Sequence, residues 1–133
     1  MAEDTGHATA TFAAAWVVNV RHDAYDVYVG RASRGAPACA ECDPEWGAAG
    51  QWGNEFIMRD GSNAERERVV GAHRASLLRD ASRVARVRSA LAGRRLGCWC
   101  SPRRCHADTL AEVANCSEDH LQALLAAHSG GSY

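Results

Sequence analysis

The chain has no lysine. All fifteen of its basic residues are arginine, which excludes lysine Schiff-base chemistry and favours planar, forked contacts to anions. Nor is there an apolar run near the roughly 18 residues a membrane span requires. The opening stretch MAEDTGHATATFAAAWVV begins with acids, where an export signal carries basic residues; the expectation is a cytoplasmic protein with no membrane partner. Internal repeats are absent, as are the G-x-G-x-x-G and G-x₄-G-K phosphate-binding fingerprints. Aromatics make up 7% of the chain, and Trp99 stands alone between residues 57 and 132. A basic stripe interleaved with stacking side chains is therefore missing.

At 133 residues the chain is long enough for one domain with a real core and too short for two. Its net charge of −1 hides an asymmetry, because residues 66–104 hold eleven arginines against only Glu67 and Asp80. That segment points either to an anionic ligand or to arginines on solvated helix faces. Six cysteines without an export signal read as metal ligands or reactive thiols rather than as a disulfide framework.

Residues 1–15 read as a loose leader, 16–128 as a single α/β domain and 129–133 as a flexible tail. WVVNVR (16–21) and YDVYVGR (25–31) are short strands separated by a turn at His22-Asp23-Ala24. Residues 31–63 carry no sustained hydrophobic period and form a long loop containing CAEC (39–42) and WGNEF (52–56). Ser62 and Glu65 have capping-box spacing before a helix over about 64–79, with Val69, Val70, His73, Leu77 and Leu78 at helical intervals. A second helix runs from near Ser82 to Gly93 with Val84, Val87 and Leu91 on one face. RRLGCWC (94–100) is a buried strand. Ser101-Pro102 offers an N-cap and first-turn proline for the next helix, and Ser117 starts a last one. The order β-β-α-α-β-α-α makes a small layered α/β domain with a cysteine cluster at a strand-to-helix junction.

That cluster, CWCSPRRCH (98–106), places Cys98 and Cys100 on one face of a strand and brings Cys105 and His106 to a helix start. A helix N-terminus lowers a thiol's pKa, so Cys105 is expected to have a lowered pKa and more thiolate. Cys100 and Cys105 are candidate nucleophiles, and His106 and Asp108 the nearest acid–base candidates. The C-x₂-C pair Cys39 and Cys42 has zinc-gripping spacing. With Cys98, Cys100, Cys105 and His106 it makes six candidate ligands for four zinc positions. Among the remaining residues, Cys116 and His73 read as core packing, and His7, His22, His120 and His128 as structural or surface groups.

VVNVR, YVGR, WGNEF, LGCWC and CHADTLAE, in that order over residues 17–115, resemble a phage and bacterial family, domain of unknown function 4326. Its members read GR, WGNPF, a helix, CWC-x-P and CH-x-D-x-L. The resemblance carries over Gly30, Arg31, Trp52, Gly53, Asn54, Phe56, Cys98, Cys100, Pro102, Cys105, His106 and Asp108. Glu55 replaces the family's proline, and residues 34–50 with CAEC are an addition. The resemblance brings no established reaction.

Two readings follow. In the first, a nucleotide- or nucleic-acid-related enzyme or ligand-binding domain uses Gly30, Arg31, Trp52, Gly53 and Asn54, with the helix start at Cys105, to hold a phosphate-bearing ligand. Trp52 would stack and Asn54 would read a base or sugar edge; alternatively both merely fold their own loop. In the second, a zinc-stabilised module binds nucleic acid or protein without catalysis.

Overall fold

The computed structural model describes residues 2–31 and 52–129. Three short strands, β1 (Val17–Asn19), β2 (Val27–Tyr28) and β3 (Leu96–Cys98), form a sheet in the order β1-β3-β2. Both flanking strands run parallel to β3, with Val17 and Val27 each opposite Leu96. The sheet is mixed with five helices: α1 (Ala2–Trp16), α2 (Asn63–Leu78), α3 (Ala81–Leu91), α4 (His106–Asn115) and α5 (Glu118–Ser129). This is the α/β class the sequence implies, with strands shorter than their apolar runs.

Residues 20–26 carry the chain from the end of β1 back to the start of β2. A turn closes where His22 N–H donates to the Asn19 carbonyl at 3.0 Å. The crossing passes over Gly97 of β3, where an added Cβ would lie 2.7 Å from Tyr25 Cγ and 2.8 Å from Val20 Cγ1. Real Cβ atoms do not approach that closely, so the short crossover requires glycine at this point.

α4 is the central helix. Every residue from His106 to Ala114 is buried, because the helix packs against β1, β3, α1, α2 and α3 at once. Its Leu110 and Val113 join Leu77, Val87, Leu91 and Leu96 in the core. Burial all round a helix demands that any polar side chain on it be paired. Glu112, with no exposed surface, meets this by accepting from Thr9 Oγ1 at 2.7 Å and Arg74 at 2.8 Å, and by contacting His120 Nε2 at 2.7 Å. One carboxylate thereby ties α1, α2 and α5 to the centre.

Two local expectations are corrected here. The N-terminal segment, read as a loose leader, is helix α1 from Ala2, and its Thr9 is buried against α4. The helix after β3 does not begin at Ser101-Pro102. Those residues sit in a turn with a cis peptide bond, and Cys105 is the N-cap of α4. α2 begins as its spacing implies, with Ser62 Oγ accepting from Glu65 N–H at 3.2 Å. The reciprocal half of that capping box is absent, because Glu65 turns to Arg59 and Arg68 while Asp60 accepts from Ser62 N–H at 2.8 Å. α3 is capped by Asp80, whose Oδ1 accepts from Ser82 and Arg83 N–H. Gly93, at φ 71°, turns the chain after it, a left-handed conformation that glycine adopts without steric cost.

Candidate functional site: a thiol-lined cavity

The strand ends generate the site. The chain leaves β2 through Val29, Gly30 and Arg31, and leaves β3 through Trp99 and Cys100. Beside these ends lies a cavity of about 290 Å³. Cys98, Cys100, Cys105 and His106 all line it, together with Gly30 and Arg31. Its other wall comes from α2 through Arg66, Val69 and Val70, and from the loop residues Phe56, Ile57 and Met58. Ile57 is the large apolar side chain left exposed among the described residues.

β1 fixes the loop that carries Cys100. Asn19, buried at the end of β1, donates from Nδ2 to the carbonyls of Trp99 at 3.2 Å and Ser101 at 2.8 Å. Its Oδ1 accepts from Arg21 N–H at 2.9 Å. The Trp99 indole N–H donates to the Tyr28 hydroxyl at 3.1 Å, and the Tyr28 hydroxyl donates to the Arg31 carbonyl at 2.9 Å. The Tyr28 ring packs directly on Gly30, where a Cβ would collide with it. Gly30 thus admits a ring that braces both strand ends.

Two of the thiols touch, Cys105 donating its S–H toward Cys98 Sγ at 3.4 Å, and Cys100 lines the same cavity with them. Ala107 N–H donates to Cys105 Sγ at 3.3 Å, and Cys105 N–H donates to Asp108 Oδ2 at 3.3 Å. Cys105 is therefore the cap of α4, and Asp108 completes a capping box with it.

This arrangement reverses the shift expected for Cys105. Cys105 is pushed well above an ordinary thiol because it donates to Cys100 and Cys98, and burial adds to the effect. Cys100 is pulled down to about 5, first by the Cys105 hydrogen bond and then, against the cost of burial, by the side chain of Arg66 and the charge of Arg103. Cys98 also shifts down through the Cys105 bond. A single S–H cannot serve two thiolates fully, and the arginines Arg66 and Arg103 favour the charged form of Cys100. The helix terminus does not activate Cys105, whose sulfur acts as acceptor for the helix and donor to its neighbours.

His106 turns its Nε2 to the Val29 carbonyl at 2.6 Å. Its ring meets His73 edge-on at 5.2 Å. Burial lowers the pKa of both, and in His73 the charge of His106 adds to the lowering. Asp108 is raised to about 6, mainly by burial, and is committed to the helix cap.

The WGN residues divide. Asn54 lines the cavity, yet its Nδ2 donates to the Val69 carbonyl at 2.9 Å and its Oδ1 accepts from Phe56 N–H at 2.8 Å. Its side chain folds the loop, and its backbone carbonyl accepts from Arg31 at 2.6 Å. Trp52 is a core residue around a separate small cavity with His73, Leu77 and Leu110. Gly53 is buried. Neither Trp52 nor Gly53 lines the thiol cavity, so the aromatic surfaces there belong to Trp99 and Phe56. Cys39 and Cys42 lie outside the described residues. Among the described residues, no group of three or more His, Cys, Asp or Glu side chains is arranged to hold a metal ion.

Sequence reasoning missed Asn19, Tyr28 and Arg66. Arg66 carried a signal, since it falls one turn before Val69 and Val70 on α2 and so shares their face. Its guanidinium donates to the Arg104 carbonyl at 3.1 Å, and its buried Nε has no partner among the described residues.

These features define a small parallel-sheet α/β domain with a thiol-lined cavity at its strand ends. The chain belongs to the family described as Domain of unknown function (DUF4326), whose model matches residues 17–116. The matched span opens at β1 and closes after α4, so α1 and α5 lie outside it and are bound to it through Glu112. Neither the curated proteins nor the solved structures give a match to this chain. Among the described residues no helix is long and apolar enough to cross a membrane.

Proposed function

We propose that this cavity binds a small phosphate-bearing, nucleotide-like ligand, in an enzyme or binding domain whose reactive group is the Cys100 thiolate. The observation that carries the reading is the convergence of Arg31, Arg66 and Cys100 on one cavity beside the ends of parallel strands, where open α/β sheets place their ligands. Arg66 brings an unpartnered Nε to that wall, and guanidinium forks suit phosphate oxygens. The volume, just below the roughly 300–1,000 Å³ typical of ligand sites, suits one small molecule of about nucleotide size. Trp99 and Phe56 supply the aromatic surface.

The helix N-terminus plays a smaller part than its position implies, because Cys105 and Asp108 already occupy its first donors. A small ligand is also favoured over nucleic acid by the fate of the arginine-rich segment. Arg68, Arg74, Arg83, Arg88 and Arg104 pair with Glu65, Glu112, Glu55, Glu118 and Glu67. Much of that positive charge is consumed within the fold.

Calorimetry with matched nucleosides and nucleoside monophosphates tests the reading. The wild-type protein should bind the phosphorylated members, and Arg66→Ala and Arg31→Ala should weaken them about tenfold or more, as loss of a charge-assisted hydrogen bond implies. Binding of the neutral nucleosides should change little. No binding by the wild-type protein, or equal losses for charged and neutral ligands, would sink it.

A further inference from the structure

We propose that Cys100 and Cys105 form a thiol/disulfide couple that reduces a hydroperoxide admitted by the cavity. This activity uses the same cavity but does not depend on the phosphate-ligand reading.

Cys98, Cys100 and Cys105 line one cavity, with Cys105 Sγ 3.4 Å from Cys98 Sγ. Their exposures differ: Cys98 and Cys105 are buried, while Cys100 is half-buried. An oxidant in the cavity therefore reaches Cys100 with Cys105 waiting behind it. Packing alone does not require three cysteines on one cavity wall that Arg66 also lines. Cys116, buried at the far end of α4 and in contact with Arg88 at 3.7 Å, is the contrasting isolated thiol.

The chemistry balances with hydrogen peroxide as the oxidant. The Cys100 sulfur gives an electron pair to one peroxide oxygen, the S–O bond forms and the O–O bond breaks. The departing hydroxide takes a proton from solvent and leaves as water, and Cys100 becomes a sulfenic acid. Oxidation removes the negative charge that held the proton on Cys105. The Cys105 sulfur then attacks Cys100, an S–S bond forms, the S–O bond breaks, and the leaving hydroxide takes the Cys105 proton to become a second water. Two sulfurs have supplied two electrons. A small thiol in two equivalents reverses the disulfide by exchange and is itself oxidised to its disulfide.

The arginines allow a direct test. Trypsin cleaves after Arg95, Arg103 and Arg104, which leaves Cys98 and Cys100 on peptide 96–103 and Cys105 on peptide 105–133 with Cys116. The full-length protein is treated with one equivalent of hydrogen peroxide, its remaining thiols are alkylated, and the digest is mapped by mass spectrometry. The expected result is peptide 96–103 joined to peptide 105–133 through Cys105, with Cys116 alkylated and the link reversed by dithiothreitol. The link should survive Cys98→Ser and vanish in Cys100→Ser. Cys105→Ser retains a good capping side chain and should trap a dimedone-reactive sulfenic acid on Cys100, formed at least about tenfold faster than at Cys116. Persistence of the link in Cys100→Ser, oxidation of Cys100 no faster than Cys116, or thiols that become reactive only after a chelator removes bound metal would each overturn the couple. A nucleotide panel without binding would leave these outcomes unchanged, so the two readings fail separately.

Discussion

His106 Nε2 lies 2.6 Å from the carbonyl oxygen of Val29, so the histidine next to Cys105 in sequence serves the end of β2 and not the sulfurs. A ring nitrogen against a carbonyl oxygen must carry its proton there. The bond holds the start of α4 to the exit of β2, on the cavity wall.

His106→Leu should therefore cost stability with little effect on thiol chemistry. Loss of a hydrogen bond to a buried carbonyl is worth about 1–3 kcal/mol, read as a lower urea midpoint. His106→Gln, whose amide can donate from a similar distance, should lose less. The rate of Cys100 alkylation in either variant should stay within about twofold of wild type, since no sulfur contact is removed. A large fall in that rate with stability unchanged would show that His106 acts on sulfur after all.

Gly97→Ala tests the crossover. The added methyl would meet Tyr25 and Val20 at 2.7 and 2.8 Å, both close to backbone that is fixed by the turn at Asn19. Overpacking of this kind costs about 1–3 kcal/mol. The loss should shrink when Gly97→Ala is combined with Tyr25→Ala, because part of the obstruction is gone. Additive losses in urea unfolding would place residues 20–26 elsewhere.

Secondary structure was legible where local signals agreed. Ser62 caps α2 as its spacing implies, and the apolar intervals of α2 and α3 match the core positions Val69, Leu77, Val84 and Leu91, while the Asp80 cap of α3 was not read. Cys98, Cys105 and His106 were legible as a strand-to-helix junction, although β3 ends at Cys98 and Cys100 lies in the loop beyond it, not on the strand. What failed needed tertiary information. α1 is anchored through Thr9 to a carboxylate 103 residues away, which no local period reveals. Ser101-Pro102 has the composition of a helix start, yet Cys105 and Asp108 cap α4 instead, with a thiol in a role usually taken by hydroxyl or carboxylate side chains. The Cys105 shift was inverted for the same reason: the helix terminus was visible in sequence, and the donation of its S–H to the other thiols was not.

The Glu112 network predicts a graded response. Thr9→Ala removes one hydrogen bond and should cost about 1 kcal/mol, with faster amide exchange confined to α1. Glu112→Ala strands Arg74, whose side chain is 13% exposed, and removes the anchors of α1 and α5 together. Breaking a buried pair from one side costs about 3–5 kcal/mol, so exchange should accelerate in both helices. Protection of α1 unchanged in Thr9→Ala and in Glu112→Ala would mean that α1 is held by other contacts.

Cys100 gives a pH prediction with a definite sign. A thiol reacts with iodoacetamide as the thiolate, so its rate follows the fraction deprotonated. With its pKa lowered to about 5 from a reference of 9.0, Cys100 should reach half its maximal rate near pH 5 and be almost pH-independent above pH 7. Over that upper range an ordinary thiol is still gaining reactivity. Peptide mapping isolates the signal, because peptide 96–103 carries neither Cys39, Cys42 nor Cys116, and Cys98 on the same peptide is buried. Cys105→Ala removes the first cause of the depression and Arg66→Gln a later one. Both should move the midpoint upward, Cys105→Ala by more. Cys98→Ser frees the Cys105 S–H for Cys100 alone and should not raise the midpoint. A wild-type midpoint in the ordinary thiol range, or one that Cys105→Ala leaves in place, would refute the lowered pKa assigned to Cys100.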